Sequence, residues 1–86
     1  SYTTTIKYTE QDLSLLDSYG LKITRNEIYA RHGRMFNDQE LQEYFQRQKW
    51  YVPQTASNDF DSSSLNEVEK YNVELIRTYE QQVGGR

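Results

Sequence analysis

Tyrosine supplies eight of the thirty apolar-class residues from which this chain could build an interior. The aliphatic stock is thin by comparison, because Leu, Ile, Val and Phe together number eighteen in 86 residues. A core of that size supports one small domain and leaves no material for a second. Every Tyr that enters the core brings a hydroxyl that needs a partner or a route to water. The fold must therefore be laced with polar contacts. A net charge of only −3 keeps the composition on the folded side of the boundary with disorder.

Several classes of function fall away on the same grounds. With no Cys there is no disulfide framework, no thiolate zinc site and no cysteine nucleophile, although the lack does not fix a compartment. Apolar runs such as Leu15-Leu16 and Trp50-Tyr51-Val52 are far too short to span a bilayer, so no membrane insertion is expected of this segment. A sequence pI near 5.0 argues against nucleic acid as a partner, since such contacts are built from net positive surface.

Periodicity and capping signals predict an all-α bundle of about four helices, over 10–17, 19–32, 38–49 and 65–82. Thr9 with Asp12 caps the first, and Leu13 and Leu16 recur at helical spacing. Leu21, Arg25, Ile28 and His32 stripe the second, which Gly33 ends. Asn37 or Asp38 opens the third, where Leu41, Tyr44, Phe45 and Gln48 share a face. Two capping boxes compete to start the last helix, Ser64 with Glu67 and Asn66 with Glu69. Residues 54–64 form the longest loop, with Phe60 as its apolar anchor. Residues 1–8, rich in Thr and Tyr, read as an extended arm or a short edge strand, 9–83 as one domain, and 84–86 as a frayed end.

The segment Arg25-Asn26-Glu27-Ile28-Tyr29-Ala30-Arg31-His32-Gly33 resembles the signature of the YARHG domain family, whose Tyr-Ala-Arg-His-Gly string is here Tyr29 to Gly33. The resemblance continues through Phe36, Leu41, Tyr44-Phe45, Trp50-Tyr51, Pro53, Glu69, Asn72, Leu75-Ile76 and Tyr79-Glu80, and so covers about residues 13–80. It implies a presumed extracellular domain of bacterial envelope-associated or surface proteins, often set beside membrane anchors or other modules. It implies no established activity.

On a helix the signature divides into two tasks. Glu27 and Arg31, at i and i+4, read as an exposed ion pair. Arg25 falls on the apolar stripe, so its head must snorkel to water or meet a carboxylate or carbonyl. The last helix offers Glu69 and Asn72 on its buried side, so Arg25 is expected to meet Glu69 or to cap carbonyls near it, while Asn72 bonds the backbone of a neighbouring loop. His32, the sole histidine, is expected to join this network by bonding a terminal carbonyl or a side chain across the core.

No metal, cofactor or catalytic centre is expected. Asp59-Phe-Asp61-Ser-Ser63 begins like a calcium loop, but its sixth position is Ser64 and its twelfth Lys70, where Gly and Glu are needed. Glu40 and Glu43 are an ordinary surface pair of acids. Among the aromatics, Phe36, Phe45 and Trp50 are expected inside. Tyr29, Arg31, Arg34 and Tyr51 are expected to form a surface patch suited to sugars and carboxylates. The resulting expectation is a monomeric, non-catalytic recognition module whose partner is a cell-wall glycan or peptide or another envelope protein domain. A spacer or docking domain, whose signature serves folding, is the alternative. A concave cluster of Arg and Tyr would favour the first, and burial of Arg25, Tyr29, His32, Trp50 and Asn72 in one network the second.

Overall fold

A chain so short of aliphatic residues must make its helices by capping as well as by burial, and four of the helix starts show how. The computed structural model describes residues 2–84. In chain order its α-helices are Tyr2–Thr5 (α1), Glu10–Leu13 (α2), Ser18–Ala30 (α3), Gln39–Gln46 (α4) and Glu67–Gly84 (α5), with 3-10 turns at Ser57–Asp59 and Ser62–Ser64. At α2, Thr9 and Asp12 close the reciprocal capping box. Asp17 caps α3 by accepting from the Gly20 amide at 2.7 Å, and Asp38 caps α4 by accepting from the Leu41 amide at 3.1 Å. At α5 the Asn66 box prevails. Asn66 Oδ1 accepts from the Glu69 amide and Glu69 Oε1 from the Asn66 amide, both at 2.8 Å. Ser64 is absorbed in the preceding 3-10 turn, where its hydroxyl donates to the Asp61 carbonyl.

The fold is all-α, with small differences from the expected boundaries. Part of the arm at 1–8 is helical, because Tyr2–Thr5 make a turn against α5 and α3, and no strand forms among the described residues. Residue 1 and residues 85–86 lie outside the described residues, and Gly84 closes α5. Helix α2 stops at Leu13 instead of 17, leaving Leu15 exposed. Helix α4 stops at Gln46 instead of 49, since the chain tightens there into i to i+3 bonds, Arg47 to Tyr44 and Gln48 to Phe45.

Helix α3 stops at Ala30, and Gly33 then reverses the chain with φ 83°. The Gly33 carbonyl accepts from the Gln54 and Thr55 amides, and Met35 N–H donates to the Thr55 carbonyl, so the 33–35 and 54–55 segments are sewn together. One isolated parallel bridge, Arg34 with Thr55, marks the seam.

Helix α3 lies between two apolar clusters. Leu13, Leu21, Ile28, Leu65, Val73 and Ile76 form the first, against α5. Ile23, Ala30, Phe36, Leu41, Phe45 and Tyr51 form the second, around α4. Tyr29 packs against both. Phe36 and Phe45 are buried as expected, stacked at 5.2 Å between centroids. Trp50 is only half-buried, with the Arg31 guanidinium 3.7 Å over its ring.

Two expectations follow. Gly33→Ala should destabilise the domain by about 1–2 kcal/mol or more, since L-residues resist the left-handed conformation. The added Cβ would also sit 3.0 Å from the Val52 carbonyl oxygen. Urea unfolding reads this, and an unchanged midpoint would show that the seam does not hold the turn. The Asp38 carboxyl is held below its ordinary value of 3.8, first by its hydrogen bond with Lys22 and next by the Leu41 amide. A lowered folded-state pKa adds stability that is present above the ordinary value and is lost as pH falls through the folded one. Asp38→Asn keeps an N-cap acceptor but not the ion pair with Lys22. The variant should therefore be less stable than the parent at neutral pH, and the gap should close in acid below pH 3.8.

Candidate functional site

Glu69 is 1% exposed, and its surroundings account for both carboxylate oxygens. His32 Nε2 lies 3.0 Å from Oε1 and 2.9 Å from Oε2, the Asn66 amide donates to Oε1, and the Thr4 hydroxyl approaches Oε2 at 3.4 Å. An ionised carboxylate only accepts, so in that state the proton of the ring sits on Nε2. Glu69 occupies the first turn of α5, where the helix dipole favours a negative charge. Asn72, one turn on, holds the N-terminal segment by accepting from the Tyr8 amide at 2.8 Å and donating to the Ile6 carbonyl at 2.9 Å. The loop contact expected of Asn72 is present.

The partner expected for Arg25 is not the one it finds. Arg25 Nε donates to Glu80 Oε1 at 2.6 Å, and His32 takes the place at Glu69. The reason lies in the pairing of α3 with α5. His32, just past the end of α3, meets the first turn of α5, while Arg25, two turns earlier, meets a residue three turns farther along it. The helices therefore run antiparallel. Face periodicity places Arg25 and Glu69 on facing stripes, but not at the same level.

Above this framework lies a shallow depression of about 270 Å³ lined by Arg25, Asn26, Tyr29, Arg34, Ser57, Phe60, Ser62 and Arg77. Tyr29 lines it, with its ring edge-on to Phe60 at 5.8 Å and its hydroxyl accepting from Arg77 at 3.3 Å. Arg34 lies 5.5 Å over the Tyr29 ring and 4.9 Å over Phe36, and donates to the Ser57 hydroxyl at 2.8 Å. A neighbouring hollow shares Tyr29, Ser62 and Arg77 and adds Asp61. The Asp61 carboxyl is held below its ordinary range by the Ser63 backbone amide. A roomier hollow of about 570 Å³ runs along α5 beside Lys7 and Tyr71. Its Lys7, Lys70, Glu67 and Glu74 balance in charge, so it offers no single sign to a ligand.

The four residues expected to form a patch do not share one surface. Tyr29 and Arg34 meet in the depression. Tyr51 is buried, its hydroxyl donating to the Arg34 carbonyl at 2.7 Å, so it supports Arg34 from below. Arg31 does not line the depression, because two residues of helical rotation past Tyr29 carry it to Trp50, where it also pairs with Glu27 at 3.2 Å. Sequence reasoning missed Arg77, Ser57 and Ser62, which carry no local signal. It also missed the link of Glu80 to Arg25, although Glu80 stood among the family-like positions.

Among the described residues, no group of three His, Cys, Asp or Glu is arranged to hold a metal ion, and no helix is long and apolar enough to cross a membrane. No buried side-chain polar atom there is without a hydrogen-bond partner. Fold and signature together define a small all-α domain whose last helix is clamped to the end of α3 through a glutamate and a histidine. The YARHG domain model matches residues 1–81, and the chain belongs to this family. It is also similar to a presumed nutrient binding protein from Legionella pneumophila of known crystal structure, with 38% identity and a TM-score of 0.68. The match covers 79% of this chain and 20% of that one, so this chain corresponds to about a fifth of its length. No curated protein is similar enough in sequence to count as a relative.

Double-mutant cycles test the corrected pairing. Glu69→Ala should cost about 2–3 kcal/mol, the range for losing hydrogen bonds to a charged group, and should couple to His32→Ala. Arg25→Ala should couple to Glu80→Ala and be additive with Glu69→Ala. Coupling between Arg25 and Glu69 would contradict the pairing described here.

Proposed function

We propose that this domain is a non-catalytic recognition module of a bacterial envelope-associated or surface protein, and that it takes a cell-wall peptide or glycan on the face around Tyr29 and Arg34. The observation that carries this reading is the depression itself. Arginines, a tyrosine and serine hydroxyls converge there on a concave surface, with the Glu69 clamp and two apolar clusters behind them. Such groups hold sugars and carboxylates without reacting with them. The acids nearby are engaged in structure, Glu80 with Arg25 and Asp61 with the Ser63 amide, in line with a binding role. The family resemblance supports the extracellular setting. The Legionella protein's description as a presumed nutrient binding protein, of which this chain matches one part, supports a binding module within a larger chain.

A second reading has its own observation. Within the signature Ala30 is buried in the core, His32 bonds Glu69 and Gly33 turns the chain, so most of the string serves folding. On that view the domain is a spacer or a docking element for another protein domain.

An amide chemical-shift titration of the labelled 86-residue chain with soluble peptidoglycan fragments separates the two. The recognition reading expects shifts at Tyr29, Arg34, Ser57, Phe60 and Arg77, with Arg31 unmoved. A folded sample that shows none at millimolar ligand would remove the cell wall as ligand and favour the docking role.

A further inference from the structure

Acids outnumber bases thirteen to ten in this chain, and ion pairs with acids hold Lys22, Arg25, Arg31 and Lys70. Lys7, Arg47 and Lys49 lie outside such pairs among the described residues, as do Arg34 and Arg77, but of the bases without an acid partner only Arg34 and Arg77 line the depression around Tyr29. Among the described residues neither lies within ion-pair distance of a carboxylate, and each is instead bonded to a neutral hydroxyl, Arg34 to Ser57 and Arg77 to Tyr29. A guanidinium has five N–H donors in a planar fork, so both keep donors to offer. Both line the same depression.

From this we infer that the depression binds the terminal carboxylate of a peptide, with Arg34 and Arg77 as its two donors and Phe60 beside the last side chain. The assignment rests on the recognition role proposed above and names its ligand. Three observations carry it. First, Arg34 is preorganised, because its carbonyl accepts from Tyr51, its amide bonds the Tyr29 carbonyl and its head stacks over Tyr29 and Phe36. A fixed guanidinium loses little freedom when a ligand arrives. Second, about 270 Å³ lies below the size usual for a whole ligand, and suits the end of a longer one. Third, the rings of Phe60 and Tyr29 provide an apolar wall for a small side chain next to the charged group.

The local charge balance agrees with this. Arg25 on the lining is cancelled by its bond to Glu80, leaving Arg34 and Arg77 as the lining cations without an acid partner among the described residues. Asp61 and Glu74 border the adjoining hollow with Lys70, which confines an anion to the Arg34 side. A tetrahedral phosphate would leave oxygens against Phe60, whereas a planar carboxylate leaves its apolar substituent there.

The test uses N-acetyl-D-alanyl-D-alanine, its L,L isomer and the C-terminal amides of both, titrated into the labelled 86-residue chain. The free acids should shift Tyr29, Arg34, Ser57 and Phe60, and the amides should bind about tenfold more weakly or worse, because the charge-assisted bonds are lost. Preference for the D,D acid would point to a wall peptide as source, and for the L,L acid to a protein C-terminus. Arg77→Gln, at an exposed position, should weaken the acids several-fold while leaving the thermal midpoint in place. Arg34→Lys, which keeps the charge but loses the fork, should also weaken the acids if Arg34 acts through its planar donors. Equal binding of acids and amides, shifts confined to another face, or binding of sodium phosphate in place of the acids would each overturn the assignment. If the wall fragments map to this face and the dipeptide acids do not, recognition stands and the carboxylate assignment falls. If neither maps there, both fall.

Discussion

A carboxylate taken out of water must be met on every side, and Glu69 organises this domain because the groups that meet it come from separate parts of the chain. His32 arrives from the end of α3, the Asn66 amide from the loop before α5, and Thr4 from the N-terminal turn. Burying one charge among them converts three separate segments into a single frame. Asn72 extends the same logic one turn further, tying residues 6 and 8 to α5 through its amide. For a chain with so few aliphatic residues this is a necessary economy, because the apolar clusters are too small to hold the termini of the bundle by themselves.

The tyrosines find their place within that frame. Tyr51 enters the second cluster and sends its hydroxyl to the Arg34 carbonyl, while Tyr29 spans both clusters and brings its hydroxyl to Arg77. Both phenolic oxygens thus end beside arginines, and the two contacts shape the concave face. The polar requirement of a phenolic core and the construction of a candidate binding surface are one arrangement. The seam between Gly33 and Thr55 keeps it steady by bringing the loop with Ser57 and Phe60 up to Arg34.

The signature string shows how five neighbouring residues acquire five different surroundings. A helix turns each successive side chain by about 100°. Tyr29 therefore faces the depression, Ala30 the second cluster and Arg31 the ring of Trp50, while His32 and Gly33, past the last turn, reach the clamp and reverse the chain. A motif of this kind marks a fold and a surface at once, which is why membership of the YARHG family describes the architecture more fully than the chemistry.

How much of this was legible beforehand depended on the range of the forces involved. Capping and helical periodicity act over three or four residues, so the cap pair Thr9 with Asp12, the all-α class, the stop at Gly33 and the two rival boxes at the start of α5 could be read from the chain, although only the structure chose Asn66 with Glu69. So could the polar character of Asn72 and Glu69 on a buried face. The helix ends were less legible, because after Leu13 and Gln46 the chain tightens into i to i+3 turns, which helical periodicity does not distinguish from a continuing helix. The partner of Arg25, the burial of Tyr51 and the meeting of Arg34 with Arg77 and Ser57 were not legible at all. Local sequence determined which helices form, what caps them and which polar residues must be satisfied inside. The antiparallel level of α3 against α5 and the closure of the 54–60 loop over Gly33 decided who satisfies them and which arginines remain for a ligand. Those depend on contacts between residues tens of positions apart, and no periodicity in a single chain encodes the height at which two helices meet.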